Sequence, residues 1–238
     1  MIELQAPDWW HEVPTLTGPT IEVREVQVGD TSSLFEMLTD PKVARYISTP
    51  PPSAAAFQGF VDWAHRRREA GTCVCLAVVP RGLDQAIGLF QVRALEPGFK
   101  IAEWGFAIGA PFWSTGIFPE AAALVADFAF RTIGVHRLEA RAVIDNARGN
   151  RALDKIGARG EAVLRKSFGK GYSQFLWAMV AEEWEPPVVI ERTVFDAAKV
   201  KRDIARAIAA MPPPSAAQSI VAPFPFFVSD ATRPPGEN

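Results

Sequence analysis

Apolar residues recur along this chain at two spacings, and the switches between them predict its elements. In Thr20–Gln27, Ile21, Val23 and Val26 stand among polar neighbours, the pattern of a half-buried strand. The segment GDTSSLFEMLTD begins a helix with Asp30 or Thr31 as its cap, and STPPPS then breaks the chain. From Ser53 the spacing of Phe57, Phe60, Val61 and Ala64 is helical, with Arg66–Arg68 near the C-terminal end and Gly71 as the stop. Cys73–Val79, Ala86–Leu95 and Ile101–Ile108 read as successive strands. Glu120–Gly134 returns to a helical period through Ala121, Leu124, Val125 and Phe128. His136–Ile144 alternates, placing Leu138, Ala140, Ala142 and Ile144 on one face and Arg137, Glu139 and Arg141 on the other. A short helix over Ala147–Gly157 and strands near Ala162–Phe168 and Gln174–Val180 complete the regular part.

Strands in a meander, followed by strand–helix alternation, define an α/β (α+β) domain: a mixed sheet with helices on its faces. The expected division is an N-terminal extension over 1–19, a domain over 20–184 and a C-terminal extension over 185–238. That extension combines an amphipathic helix across Val194–Met211 with a proline-rich tail. Disorder, a strap along the domain, and docking on a second copy to form a homodimer all stay open for the tail.

Composition narrows the class. A net charge of -2 supplies no cationic excess for nucleic acid, and no apolar run is long enough for a membrane span. The first residues carry acids and lack a basic start before an apolar run, so no secretory leader is expected. Two cysteines, Cys73 and Cys75, cannot build a disulfide framework, and with three histidines in the chain they make a poor metal site. A cytoplasmic protein without metal is the expectation.

The chemistry points to PFWSTGIFPEAAA, between an apolar strand and an alanine-rich helix. A helix N-terminus carries unpaired N–H groups and a partial positive charge. Gly116 lets the backbone approach a ligand, Ser114 and Thr115 add hydroxyl donors, and Pro119 loses nothing in the first turn. No Lys or Arg lies in the loop, so dipoles rather than a point charge are expected to hold an anion there.

This loop, the strand IAEWGFAIG before it and the later NARGNRALDKIG together resemble the GNAT superfamily of N-acyltransferases, in the branch of the RimJ/RimL type. Gly116, Glu120 and Ala121 match the loop pattern, and Asn146, Leu153, Lys155 and Gly157 match the later one, over roughly Thr20–Trp184. Trp113 stands where Arg or Gln is commonest, and Gly149 holds a serine position. The resemblance implies a mostly antiparallel central sheet and acetyl-CoA as the acyl donor. Trp113, Ser114, Thr115, Gly116, Ile117 and Phe118 would hold the pyrophosphate. Phe106, Ala107 and Ile108 would pair with the pantetheine arm, and Asn146 with Asn150 would contact it or cap the helix.

Transfer to an amine needs a neutral nucleophile, and an α-amine near pKa 8 costs only about 1 kcal/mol to deprotonate at pH 7, against about 4.6 for a lysine. Glu103, in an otherwise apolar strand, is the candidate base, with a strand carboxylate bonded to an arginine as the alternative. Tyr172 and Ser173 fall near the acceptor side by resemblance, with a hairpin anchor as the alternative; Leu153 replaces the tyrosine many relatives use as acid. The expected activity is acetyl transfer to a primary amine, on a protein N-terminus or a small molecule, by direct attack in a ternary complex. A catalytically weak acyl-CoA-binding or protein-interaction module is the alternative that Ser114, Phe118 and Ser173 keep open. Phe118 also raises the prospect of a reshaped cofactor mouth that selects another acyl group.

Overall fold

The computed structural model describes residues 8–169, 171–186 and 202. In chain order its elements are β1 (Leu16–Thr17), β2 (Ile21–Glu25), α1 (Thr31–Thr39), α2 (Pro41–Ala44), α3 (Ala54–Glu69), β3 (Cys73–Pro80), β4 (Gly88–Ala94) and β5 (Ile101–Ile108). Then follow α4 (Ile117–Asp127), β6 (Arg137–Val143), α5 (Ala147–Lys155), β7 (Arg159–Phe168) and β8 (Tyr172–Val180). The described strands form one eight-stranded sheet in the order β1-β2-β3-β4-β5-β6-β8-β7. Every pairing is antiparallel except β5 with β6, which the crossover through α4 makes parallel.

The expected mixed, mostly antiparallel sheet with flanking helices is what forms. Trp104, Phe57, Phe90 and Phe112 are among its largest fully buried side chains. The expected helix over Val194–Met211 and the proline-rich tail lie outside the described residues, Arg202 excepted.

Several boundaries differ from the pattern for physical reasons. Helix α4 starts at Ile117 rather than Glu120, because Gly116 at φ 91° supplies the left-handed residue that turns the chain into it. Its end widens into a π-helical turn over Phe128–Ile133, which Gly134 stops at φ 83°. Strand β1 and helix α2 are too short to show a period. The HRRRE run reads as a solvated helix end, yet Arg68 is only 8% exposed. Its guanidinium meets Glu25 at 2.6 Å and donates to the carbonyls of Trp10 and His11. That contact pins the N-terminal segment, and Trp9 seals it edge-on against Phe99.

Candidate functional site

The sheet parts in the middle. β5 pairs with β6 only from Ile101–Arg137 to Glu103–Glu139, while β5 stays on β4 as far as Ile108 and β6 stays on β8 as far as Val143. The two half-sheets therefore diverge like a wedge with Glu103 at its vertex.

Backbone direction alternates along a strand, so the hydrogen bonds that are made reveal those left over. Ile101 O accepts from Leu95 N and Gly109 N donates to Ile87 O, which turns the odd-numbered residues of β5 toward β4. Lys100 O accepts from His136 N, which turns the even-numbered residues toward β6. Beyond the vertex, Trp104, Phe106 and Ile108 thus offer main-chain groups to the wedge. Ala107 does not; its N–H and C=O serve β4, which removes it from the expected pairing with a bound arm.

At the open end, side chains cap both strands. Trp113 Nε1 donates to Ile108 O at 2.7 Å, and Asn150 Nδ2 donates to Val143 O at 2.9 Å. Asn150 is spent within the fold, since it also donates to Asn146 O and accepts from Trp177 Nε1. Asn146 caps α5, accepting from Gly149 N at 3.0 Å. A Cβ on residue 149 would lie 2.6 Å from the Asn146 amide nitrogen, so any side chain there would require the cap to shift.

Between these caps lies the loop into α4. Ser114 at φ 64° and Gly116 at φ 91° both take the left-handed conformation, with Thr115 between them outside it. Among the described residues, no acceptor faces the main-chain N–H groups of Ser114, Thr115, Gly116, Ile117 and Phe118. Five consecutive bare amides at a helix N-terminus are an arrangement whose dipoles favour an anion.

Two expectations about this loop need correcting. The Thr115 hydroxyl donates to Phe112 O at 2.7 Å and so braces the loop instead of facing a ligand. A point charge is present after all: the Arg148 guanidinium, from the first turn of α5, lies 4.2 Å over the Trp113 ring. Tryptophan in the usual Arg position thus holds an arginine from another element. The Phe118 ring packs on Phe106 at 4.6 Å and stacks with Phe90, so it wedges α4 against the sheet. Glu120 clamps the same turn, accepting from Thr20 N at 2.9 Å, Thr20 Oγ1 at 2.5 Å and Ile21 N at 3.3 Å.

At the vertex, Glu103 is 1% exposed between two guanidiniums, with Arg93 at 2.6 Å on Oε2 and Arg141 at 3.5 Å on Oε1. Burial raises its carboxyl above the ordinary value, against the opposing pull of Arg141 and Arg93. Tyr172 and Ser173 lie elsewhere. Ser173 O accepts from Ile144 N, five residues past Glu139 along β6, or about 16 Å of strand. Ser173 Oγ accepts from Lys166 N, and the Tyr172 ring faces Phe168, as in a hairpin anchor. The structure does not bring them to Glu103. Tyr46 reaches the open end instead, where its hydroxyl donates to Asp145 O at 3.3 Å. Leu153 is buried.

A family profile described as "Acetyltransferase (GNAT) domain" matches residues 20–159, more than half of the sequence. The chain belongs to the GNAT family and is an acetyltransferase. Among curated relatives, the uncharacterized N-acetyltransferase p20 of Bacillus licheniformis is 21% identical over 174 residues, 71% of this chain and 98% of p20. In fold the chain is similar to Mycobacterium smegmatis RimJ in complex with CoA-disulfide, with TM-score 0.61, 19% identity, and 79% of this chain and 94% of that one covered. It is likewise similar to the ribosomal-protein-S5-alanine acetyltransferase of Vibrio fischeri, with TM-score 0.64, 15% identity, and 73% and 100% covered. No helix among the described residues is long and apolar enough to cross a membrane.

Proposed function

We propose that the wedge between β5 and β6 takes acetyl-CoA and that the chain passes its acetyl group to a primary amine within a ternary complex. The observation that carries this reading is the run of bare amides from Ser114 to Phe118, opening on the wide end of the wedge. Those amides and the Arg148 guanidinium suit the two phosphates of the coenzyme. From there the pantetheine arm would lie along β5, bonding the C=O of Phe106 and the N–H of Ile108. This path leads the thioester toward the vertex. The solved complex of RimJ with CoA-disulfide supports the same ligand class here. Residues 20–184 are proposed as the catalytic domain.

At the vertex a neutral amine attacks the thioester carbonyl, the C–N bond forms and the C–S bond breaks. Glu103 accepts the proton the amine gives up, and the coenzyme leaves as thiolate, taking a proton from solvent. With Leu153 in the tyrosine position, no side-chain acid is required, since a thiol of pKa about 8.5 is a fair leaving group. The main-chain N–H of Phe106, nearer the vertex than that of Ile108, stabilises the carbonyl oxygen as charge develops.

Calorimetry with acetyl-CoA followed by thiol release over a panel of amines tests this reading. Binding with amine-dependent release is expected. Binding without release from any amine would leave a coenzyme-binding module in place of a transferase.

A further inference from the structure

Helix α4 is fastened to the sheet at two points. The first is the Phe118 ring, packed on Phe106 of β5 and stacked with Phe90 of β4. The second is Glu120, two residues on, which is buried although it carries a charge. Its carboxylate accepts from Thr20 N at 2.9 Å, Thr20 Oγ1 at 2.5 Å and Ile21 N at 3.3 Å. Ile21 has no exposed surface and pairs with Pro80 of β3, so β2 holds that end of the tie. Strand β2 lies two places from β4 in the sheet, about 10 Å away. One anchor would leave the helix free to pivot. Two anchors on separated strands fix its direction.

The turn before β2 is shaped for this contact. Gly18 N donates to Ile21 O at 2.9 Å, and a Cβ on residue 18 would collide with Glu120 Oε1. All three donors to Glu120 are neutral. The negative charge itself works against a bound coenzyme, because Glu120 lies within one turn of the bare amides and repels phosphate at the same helix end. What the side chain can contribute to that site is position.

We propose that Glu120 is a positioning residue for the coenzyme: by tying the first turn of α4 to the turn before β2, it fixes the aim of the Ser114–Phe118 amides. This inference rests on the coenzyme reading above. It adds a requirement for Thr20, which stands a hundred residues earlier in the chain. A glutamine can keep the tie without the charge, since its amide oxygen accepts from the two main-chain N–H groups and its NH2 donates to Thr20 Oγ1. Coupling between two sites is reciprocal, so bound coenzyme in turn steadies the Thr20 and Ile21 amides.

The test is calorimetry with CoA on the full chain, with urea unfolding to show that each variant is folded at the temperature used. Glu120→Ala should weaken CoA about tenfold or more, whereas Glu120→Gln should lose no more than about threefold. Thr20→Val should weaken CoA to a lesser degree, and adding it to Glu120→Ala should cost little further, because both changes cut the same tie. Hydrogen exchange on the unaltered protein needs no variant: saturating CoA should slow the Thr20 and Ile21 amides about fivefold or more. Glu120→Ala binding CoA like the parent, Glu120→Gln binding as poorly as Glu120→Ala, or exchange at Thr20 and Ile21 unmoved by CoA overturns the inference. Absence of CoA binding by the parent takes the coenzyme reading down as well, whereas parental binding matched by Glu120→Ala sinks the inference alone.

Discussion

Three helices of this protein begin in contrasting ways. In α3 the Ser53 hydroxyl accepts from Ala56 N at 3.1 Å, and in α5 Asn146 Oδ1 accepts from Gly149 N. These helices satisfy part of their own orphan amides. Helix α4 has Gly116 as its cap, which carries no side chain and makes no such bond. Its N-terminus is held in place by other means: Glu120 on Thr20 and Ile21, Phe118 on Phe106, and Thr115 on Phe112. Helix α2 is capped likewise, Asp40 accepting from Lys42 N at 2.7 Å, whereas α1 has no side-chain cap. At α4, the helix start proposed to grip the coenzyme, the amides stay bare and everything around them is braced.

The contrast breaks most sharply at Gly116. Gly116→Val puts a β-branched residue at φ 91° and a side chain over the amides, so CoA affinity should fall about a hundredfold or more by calorimetry. An affinity within a few fold of the parent would show that the loop does not grip the ligand. Glu103→Gln separates chemistry from binding. Turnover should fall about a hundredfold while CoA affinity stays within about twofold. The deprotonated carboxylate is the competent form and its pKa is raised, so the acid limb of the rate profile should lie above the ordinary 4.5 and vanish in the variant. An unchanged limb would assign the proton to another group. Arg148→Ala should weaken CoA about five- to tenfold, with the loss shrinking at high salt. The smallest effect tests the opposite member of the comparison: Ser53→Ala should cost about 1 kcal/mol in urea unfolding and leave CoA affinity unchanged.

Much of this was legible in the chain itself. Alternation in His136–Ile144 and the unbroken apolar run at Cys73–Val79 set the strands, and Gly116 before an alanine-rich segment marked the helix start within three residues. What stayed hidden depends on partners distant in sequence. Arg148 stacks on Trp113 only because α5 returns beside α4, and Arg68 is buried only because the N-terminal segment crosses α3. The same holds for Glu103: an acid in an apolar strand is readable, but its two guanidiniums come from the strands on either side. The loss of Ala107 from the expected pairing set is a matter of backbone direction, which side-chain pattern does not report.

The bare amides can be observed one by one. Backbone amide resonances of the full chain, followed by NMR through a titration with CoA, report on each helix start separately. Ser114 through Phe118 should show the largest shifts, while Ala56 and Gly149, whose amides are already capped, should move far less. Shifts centred on the starts of α3 or α5, or saturation with the 114–118 amides unmoved, would contradict the account.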